Sequence, residues 1–216
     1  MIPKIIHQTY KDNNLPDLYK KCQQQIKSIC PEFEYKFYSD EDIDSFMLNN
    51  YPEYYIQFMN LPRKIMQLDM FRYFLIYEYG GWYIDMDYYL IKKLDCIGEL
   101  VLPCSSNNQG NDTRFLGNCI FGSIPKHPFW KSLMDDMINF NVSNQYSDDS
   151  VLETTGPGLV TRMWLKSEYK NEIQIPEKNL FHPPSGQINK VKLNELKSYN
   201  SYGVHLCSGV WRNNKL

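Results

Sequence analysis

The sequence predicts an α/β fold, a mixed and mainly parallel sheet with helices on both faces. Short apolar or aromatic runs alternate with longer helical ones along the chain, the pattern of strands joined by crossover helices. Within that pattern Arg63 to Leu90 reads as a long helix, a Gly-Gly stop, an aromatic strand and two carboxylates one residue apart. The 216 residues suit one domain spanning 1–216, and 43% apolar content with 15% aromatic residues can fill its core.

Taken in order, Lys4–Thr9 is a short apolar strand that Tyr10 ends, and Leu15–Ile29 is a Lys- and Gln-rich helix stopped by Pro31. Phe33–Tyr38 alternates as a half-buried strand. Ser39 and the acids Asp40, Glu41 and Asp42 read as a helix start, where the dipole favours negative charge, in preference to a metal site. Two short helices span Glu41–Asn60 with a break around Pro52. Pro62 suits the start of the long helix, because it lacks an N–H that would be unpaired there. Gly80 and Gly81 supply the left-handed conformation that closes it. Trp82–Ile84 is then a strand, continued by Tyr88–Ile91, and Leu100–Pro103 is another. Ser105–Thr113 is a polar loop, Cys119–Ile124 a strand, Pro125–Pro128 a turn and Pro128–Phe140 a helix. Thr154 through Gly158 opens a helix to Leu165, Phe181-His-Pro-Pro is rigid, and Val204–Leu206 is a last strand before a turn and tail at Cys207–Trp211. Asp135-Asp136 falls within a helix and Asp148-Asp149 in a polar loop, both read as solvated.

The net charge of −2 and the lack of a basic stripe exclude a polyanion or nucleic-acid binder. No apolar run approaches the roughly 20 residues of a membrane helix. The chain enters a strand within two residues, so no signal peptide or anchor is expected. The six cysteines, Cys22, Cys30, Cys96, Cys104, Cys119 and Cys207, show no metal spacing and read as reduced thiols of a cytoplasmic protein.

Chemistry is concentrated around Asp85-Met86-Asp87. In an extended chain residues i and i+2 share a side, so both carboxylates can face one small object. Two like carboxylates resist joint ionisation unless a cation is near, and a hard ion such as Mg²⁺ or Mn²⁺ takes oxygen ligands and shares them with phosphate. Asp69 and Arg72, three apart, share a helical face. They are either a surface ion pair or a partly buried pair that holds hydroxyls, and the apolar residues Leu68, Met70, Phe71, Tyr73 and Phe74 around them suit the second account. Met66, Met70, Tyr73 and Tyr77 form an apolar stripe on the same helix.

Asp69-x-x-Arg72 followed by Tyr79-Gly80-Gly81-x-Tyr83-x-Asp85-x-Asp87 resembles the signature of the DXD-containing sugar transferases of glycosyltransferase family 32. Ile2–Tyr10, Asn118–Pro128, Thr155-Gly156-Pro157 and His205…Trp211 resemble further blocks of that family in its order. The resemblance implies a GT-A type fold and retaining transfer of a hexose from a nucleotide diphosphate sugar, a UDP- or GDP-hexose, to an acceptor hydroxyl in glycan or polysaccharide synthesis. It implies Mn²⁺ or Mg²⁺ as cofactor, with Asp87 as direct ligand, Asp85 on the ribose and reaching the metal through water, and His205 completing the shell. By the same resemblance Thr9 and Tyr10 line the nucleotide pocket, Asp69 and Arg72 orient the donor sugar, Asn118 supports it, and Trp211 belongs to the donor site. Thr155 and Gly156, at a helix start where backbone N–H groups donate to anionic oxygens, are placed near the donor phosphates or acceptor. Plain structural readings stand beside these: Tyr10 as a strand end, Asn118 as a turn cap, and His205, like His7, as a structural histidine. The spacing of Ser208 and Trp211 departs from the family pattern, which puts Ser208 in doubt more than His205. Two other functions compete, a non-catalytic nucleotide-sugar-binding relative and a haloacid-dehalogenase-like phosphohydrolase. The second is weakened by Tyr88 and Tyr89 after the motif.

Overall fold

The computed structural model describes residues 1–95, 98–106, 115–138, 147–183 and 200–209. Strand β1 (Ile5–Thr9) is followed by helix α1 (Asp17–Ile29), strand β2 (Glu34–Tyr38), and helices α2 (Asp40–Asn50), α3 (Pro52–Met59) and α4 (Lys64–Tyr79). Strands β3 (Gly81–Ile84), β4 (Tyr88–Leu90), β5 (Leu100–Val101) and β6 (Ile120–Ser123) come next. Helices α5 (Pro128–Ile138), α6 (Asp148–Thr154), α7 (Pro157–Lys166) and α8 (Lys178–Phe181) precede strand β7 (Gly203–His205).

Five strands pair in the order β2-β1-β3-β6-β5. β1 is parallel to β2 and β3, β6 runs against β3, and β5 against β6, so four of the five strands share one direction. Successive strand residues point to opposite faces, and both faces are covered. Tyr83 and Phe121 pack with Phe71, Phe74 and Trp130 on one side, while Trp82, Ile84 and Ile120 pack with Ile6, Ile26 and Phe181 on the other. Among the described residues no helix is long and apolar enough to cross a membrane.

The local sequence explains several boundaries. Ser39 and Asp42 exchange a capping box at the start of α2, which accounts for the acidic run there. Helix α4 is buried nearly all round, from Asp69 to Ile76 without a break, so the expected stripe of Met66, Met70, Tyr73 and Tyr77 is too narrow a description. A helix hydrophobic on all sides lies inside a domain, and α4 sits between the sheet and the outer helices.

The turn after α4 decides where the functional side chains go. Gly80 has φ 62 and ψ −160, a region only glycine occupies easily, not the left-handed helical conformation expected of it. A Cβ there would lie 2.7 Å from the Pro125 nitrogen, and one on Gly81 (φ 91) would lie 2.7 Å from the Ile5 carbonyl oxygen. The glycines let the chain reverse at once. From Asp69 to Tyr79 the helix covers about 15 Å, and from Gly81 to Asp85 the strand returns about 13 Å. The reversal therefore sets Asp69 and Arg72 level with Asp85.

Four further expectations need correction. The segment Asp85–Asp87 is not extended: the Tyr88 amide donates to the Asp85 carbonyl at 3.0 Å in a tight turn. Tyr88–Leu90 accordingly leaves the main sheet and pairs antiparallel with β7 in a separate two-stranded sheet. Pro62 lies before the cap, which is extended Arg63. Asp148 and Asp149 open α6 instead of lying in a loop, with Ser147 as its cap and Arg63 paired to Asp148 at 2.7 Å. The end of the predicted helix at Phe140, most of the Ser105–Thr113 loop, Cys96 and Trp211 lie outside the described residues.

Gly80→Ala should lower stability by at least about 1–3 kcal/mol from backbone strain alone, with the clash at Pro125 adding to it. Urea unfolding monitored by far-UV circular dichroism checks this, and an unchanged midpoint would refute the account of the turn.

Candidate functional site

In α/β sheets, clefts form beyond the carboxyl ends of parallel strands. Here the ends of β1 and β3 meet the start of β6, which runs the other way, and a cavity of about 760 Å³ opens at that edge. Thr9, Tyr10, Tyr19, Asp69, Arg72, Tyr83, Asp85, Asp87, Asn118 and His205 line it.

At its base lies one buried cation. Arg72 approaches Asp69 and Asp85 at 3.3 Å each and donates to the Asn118 carbonyl at 2.7 Å. Its guanidinium carbon sits 4.6 Å from the centroid of the Tyr83 ring, the geometry of a cation–π contact. Asp69 and Arg72 are each 4% exposed, so the surface ion-pair reading is excluded. Asp69 receives further hydrogen bonds from the Thr155 hydroxyl at 2.8 Å and the Asn118 amide at 3.0 Å. Burial pushes its pKa up to about 6, although Arg72, Thr155 and Asn118 pull the other way. The Tyr83 hydroxyl donates to Asp85 at 3.0 Å, and the Asp85 amide donates to the Cys119 carbonyl at 2.7 Å. This network fixes α4, β3 and the start of β6 against one another.

A second cluster stands next to the first. The turn at Asp85–Asp87 and the pairing of Tyr88 with His205 bring two carboxylates and an imidazole together, with one ligand atom from each within 4.8 Å of the others. His205 Nε2 lies 3.0 Å from Asp87 and 4.0 Å from Asp85. The other Asp87 oxygen accepts from both the Ser208 amide and the Ser208 hydroxyl at 2.7 Å. Burial would raise the Asp87 pKa, but His205 and Ser208 outweigh it and hold the carboxyl well below its usual range. Burial disfavours an imidazolium at His205, yet Cys119 and Asp87 overcome that and keep its pKa above the ordinary value. Two carboxylates and an imidazole opening onto a cavity form a donor set that suits a hard or borderline divalent ion such as Mg²⁺ or Mn²⁺.

The structure brings Thr9, Tyr10, Asp69, Arg72, Asp85, Asp87, Asn118 and His205 to one cavity. Thr155 stands elsewhere: it is 1% exposed and its hydroxyl serves Asp69 from behind. Gly156 is a buried cap of α7 whose amide is bonded to the Val151 carbonyl. The expectation that these two meet phosphates or acceptor gives way to a supporting role, because the helix start is used internally. His7 is buried, bonded to the Gly80 carbonyl at 2.9 Å, and held neutral by burial, with its pKa lowered to about 4. The sequence reading left Ser208 in doubt and did not single out Tyr19. Tyr83 was detectable, since it stands two residues before Asp85 on the same strand. Nothing local marks the other two.

A family model described as a glycosyltransferase sugar-binding region containing a DXD motif matches residues 16–102. An inositol phosphoceramide mannosyltransferase of Schizosaccharomyces pombe is 32% identical over 176 residues, covering 82% of this chain and 49% of the relative. A mannosyl phosphorylinositol ceramide synthase of Saccharomyces cerevisiae is 31% identical over 170 residues, covering 79% and 44%. The chain thus spans about half the length of these curated relatives. Among solved structures, the PaToxG glycosyltransferase superposes with a TM-score of 0.57 at 16% identity, covering 79% of this chain and 70% of that one, a likeness of fold.

Arg72→Lys keeps the charge but cannot reach Asp69, Asp85 and the Asn118 carbonyl together. It should cost about 1–3 kcal/mol of stability, and Arg72→Ala, which leaves two carboxylates without their cation, about 3–5 kcal/mol. Chemical denaturation of both variants tests the ranking, and equal losses would refute the shared-fork geometry.

Proposed function

Because this chain belongs to the glycosyltransferases with a DXD-containing sugar-binding region, we propose that it is an enzyme that transfers a hexose from a nucleotide diphosphate sugar to an acceptor hydroxyl. The observation that carries this reading is the adjacency of two built clusters in one cavity: Asp85, Asp87 and His205 beside the buried Asp69–Arg72 pair. The names of the relatives make mannose the first sugar to test, and the hydroxyl of a glycan or polyol head group the first acceptor.

Asp85, Asp87 and His205 would hold the divalent ion, which when bound supplies a Lewis acid for charge on the leaving diphosphate. Thr9 and Tyr10, at the carboxyl end of β1, form the wall against which the base rests. Asp69 and Asn118 both line the cavity; Asp69 and the Tyr73 hydroxyl take the two protons of the Asn118 amide, which leaves Asn118 Oδ1, like the Asp69 carboxylate, as an acceptor for sugar hydroxyls. Arg72 keeps Asp69 and Asp85 in place and offsets their mutual repulsion.

The four carboxylates that line the cavity among the described residues are all engaged: Asp40 with Lys64, Asp69 and Asp85 with Arg72, and Asp87 with His205 and Ser208. None of them is an evident covalent nucleophile. This favours same-face substitution through an oxocarbenium-like state, with the leaving phosphate taking the acceptor proton. Positioning and charge stabilisation then supply the rate. Membership in this family leaves no argument for a phosphohydrolase.

A panel of UDP- and GDP-sugars, including GDP-mannose, should reveal slow nucleotide release from one donor with Mn²⁺ and none with EDTA. Asp87→Ala should remain folded, less stable by the donors of His205 and Ser208 left unpaired, and lose at least about 100-fold of that release. Turnover near wild type in Asp87→Ala would overturn the assignment.

A further inference from the structure

Tyr19 on α1 has no part in the chemistry above, yet it is 7% exposed, lines the cavity and touches both ends of it. Its hydroxyl lies 2.8 Å from Ser208 Oγ. Its ring meets that of Tyr10 nearly at right angles, 85° between planes and 5.4 Å between centroids. The direction of the hydrogen bond follows from counting protons. A serine hydroxyl has one proton, and that of Ser208 goes to the Asp87 carboxylate at 2.7 Å. Tyr19 is therefore the donor to Ser208, and a chain runs from the Tyr19 hydroxyl through Ser208 to Asp87. The segment that carries Ser208 is also bent back on Asp87: Cys207 and Gly209 have φ 49 and 62, and the Leu206 amide donates to the Asp87 carbonyl at 2.9 Å.

We propose that Tyr19 is a positioning residue that acts through Ser208 on the ion-binding carboxylate Asp87 and through its ring on Tyr10, so that one side chain of α1 sets the spacing of the two ends of the donor site. The inference rests on the nucleotide-sugar reading. Orienting the Ser208 hydroxyl from behind leaves its proton aimed at Asp87 Oδ2, and so leaves the other oxygen, Oδ1, to His205 and the ion. Partners that orient a ligand in this way contribute to affinity for the ion without touching it. Leu15 and Met86 pack against Tyr19 and hold it in place.

The test is Mn²⁺ affinity by isothermal titration calorimetry for wild type, Tyr19→Phe, Tyr19→Leu, Ser208→Ala and the Tyr19→Phe/Ser208→Ala double variant. UDP and GDP affinities are then measured at saturating Mn²⁺. Tyr19→Phe keeps the ring, and should weaken Mn²⁺ binding about three- to tenfold while leaving nucleotide affinity within twofold of wild type. Tyr19→Leu should lose nucleotide affinity as well. The double variant should bind Mn²⁺ no more weakly than Ser208→Ala alone, since the two side chains act in series. Additive losses in the double variant, or wild-type Mn²⁺ affinity in Tyr19→Phe, would overturn the proposal while leaving the transferase reading intact. Wild-type protein that binds neither Mn²⁺ nor either nucleotide would overturn both.

Discussion

The structure turns on the guanidinium of Arg72. Placing a charge at 4% exposure in a domain interior is costly, and it persists only where other charges and dipoles surround it. Arg72 meets two carboxylates, two carbonyls and one aromatic face, which come from its own helix, from β3 and the residue after it, and from Asn118, two residues before β6. Three separate pieces of backbone are thereby held to one planar group. A hydrophobic residue of similar volume would pack as well. It would not fix the carboxylates of Asp69 and Asp85 in direction, and direction is what a binding site needs.

Stability and function are coupled at this point. The Gly80–Gly81 reversal brings α4 back along β3 so that Arg72 can reach Asp85, and the crowding at Pro125 and Ile5 shows how little space the reversal leaves. The second cluster uses a different device. A tight turn takes the chain out of the main sheet at Asp85–Asp87, and the two-stranded β4–β7 ladder delivers His205 to the same place. The tail beyond β7 then binds Asp87 three times, through the Leu206 amide to its carbonyl and through the Ser208 amide and hydroxyl to its carboxylate. One carboxylate is thus the meeting point of segments more than 100 residues apart.

Much of the main sheet and the long helix was legible from periodicity and punctuation, because those depend on near neighbours. The helix–Gly-Gly–strand geometry follows from rise per residue alone, and it places Asp69, Arg72 and Asp85 together without any long-range knowledge. The same reasoning failed at Asp85–Asp87, where strand propensity after Ile84 suggested an extended chain and a turn won. The turn is favoured because β4 finds its partner in β7, an event invisible to local pattern. It also failed at Thr155, whose helix-start position suggested an open anion site while the hydroxyl was already committed to Asp69.

By itself, then, the sequence determined the α/β character, the order of helix, Gly-Gly and strand, and the identity of the two carboxylates, and it favoured a buried over a surface Asp69–Arg72 pair. These are local facts, settled within a few turns of helix and one strand. Only the tertiary structure decided that Ser208 clasps Asp87, that Tyr19 stands behind Ser208, and that Thr155 and Gly156 support the site without facing it. The Tyr19–Ser208 bond spans 189 residues and the Ser208–Asp87 bond 121. Partners so far apart are selected by which surfaces meet when the core closes, and no spacing or propensity along the chain records that choice.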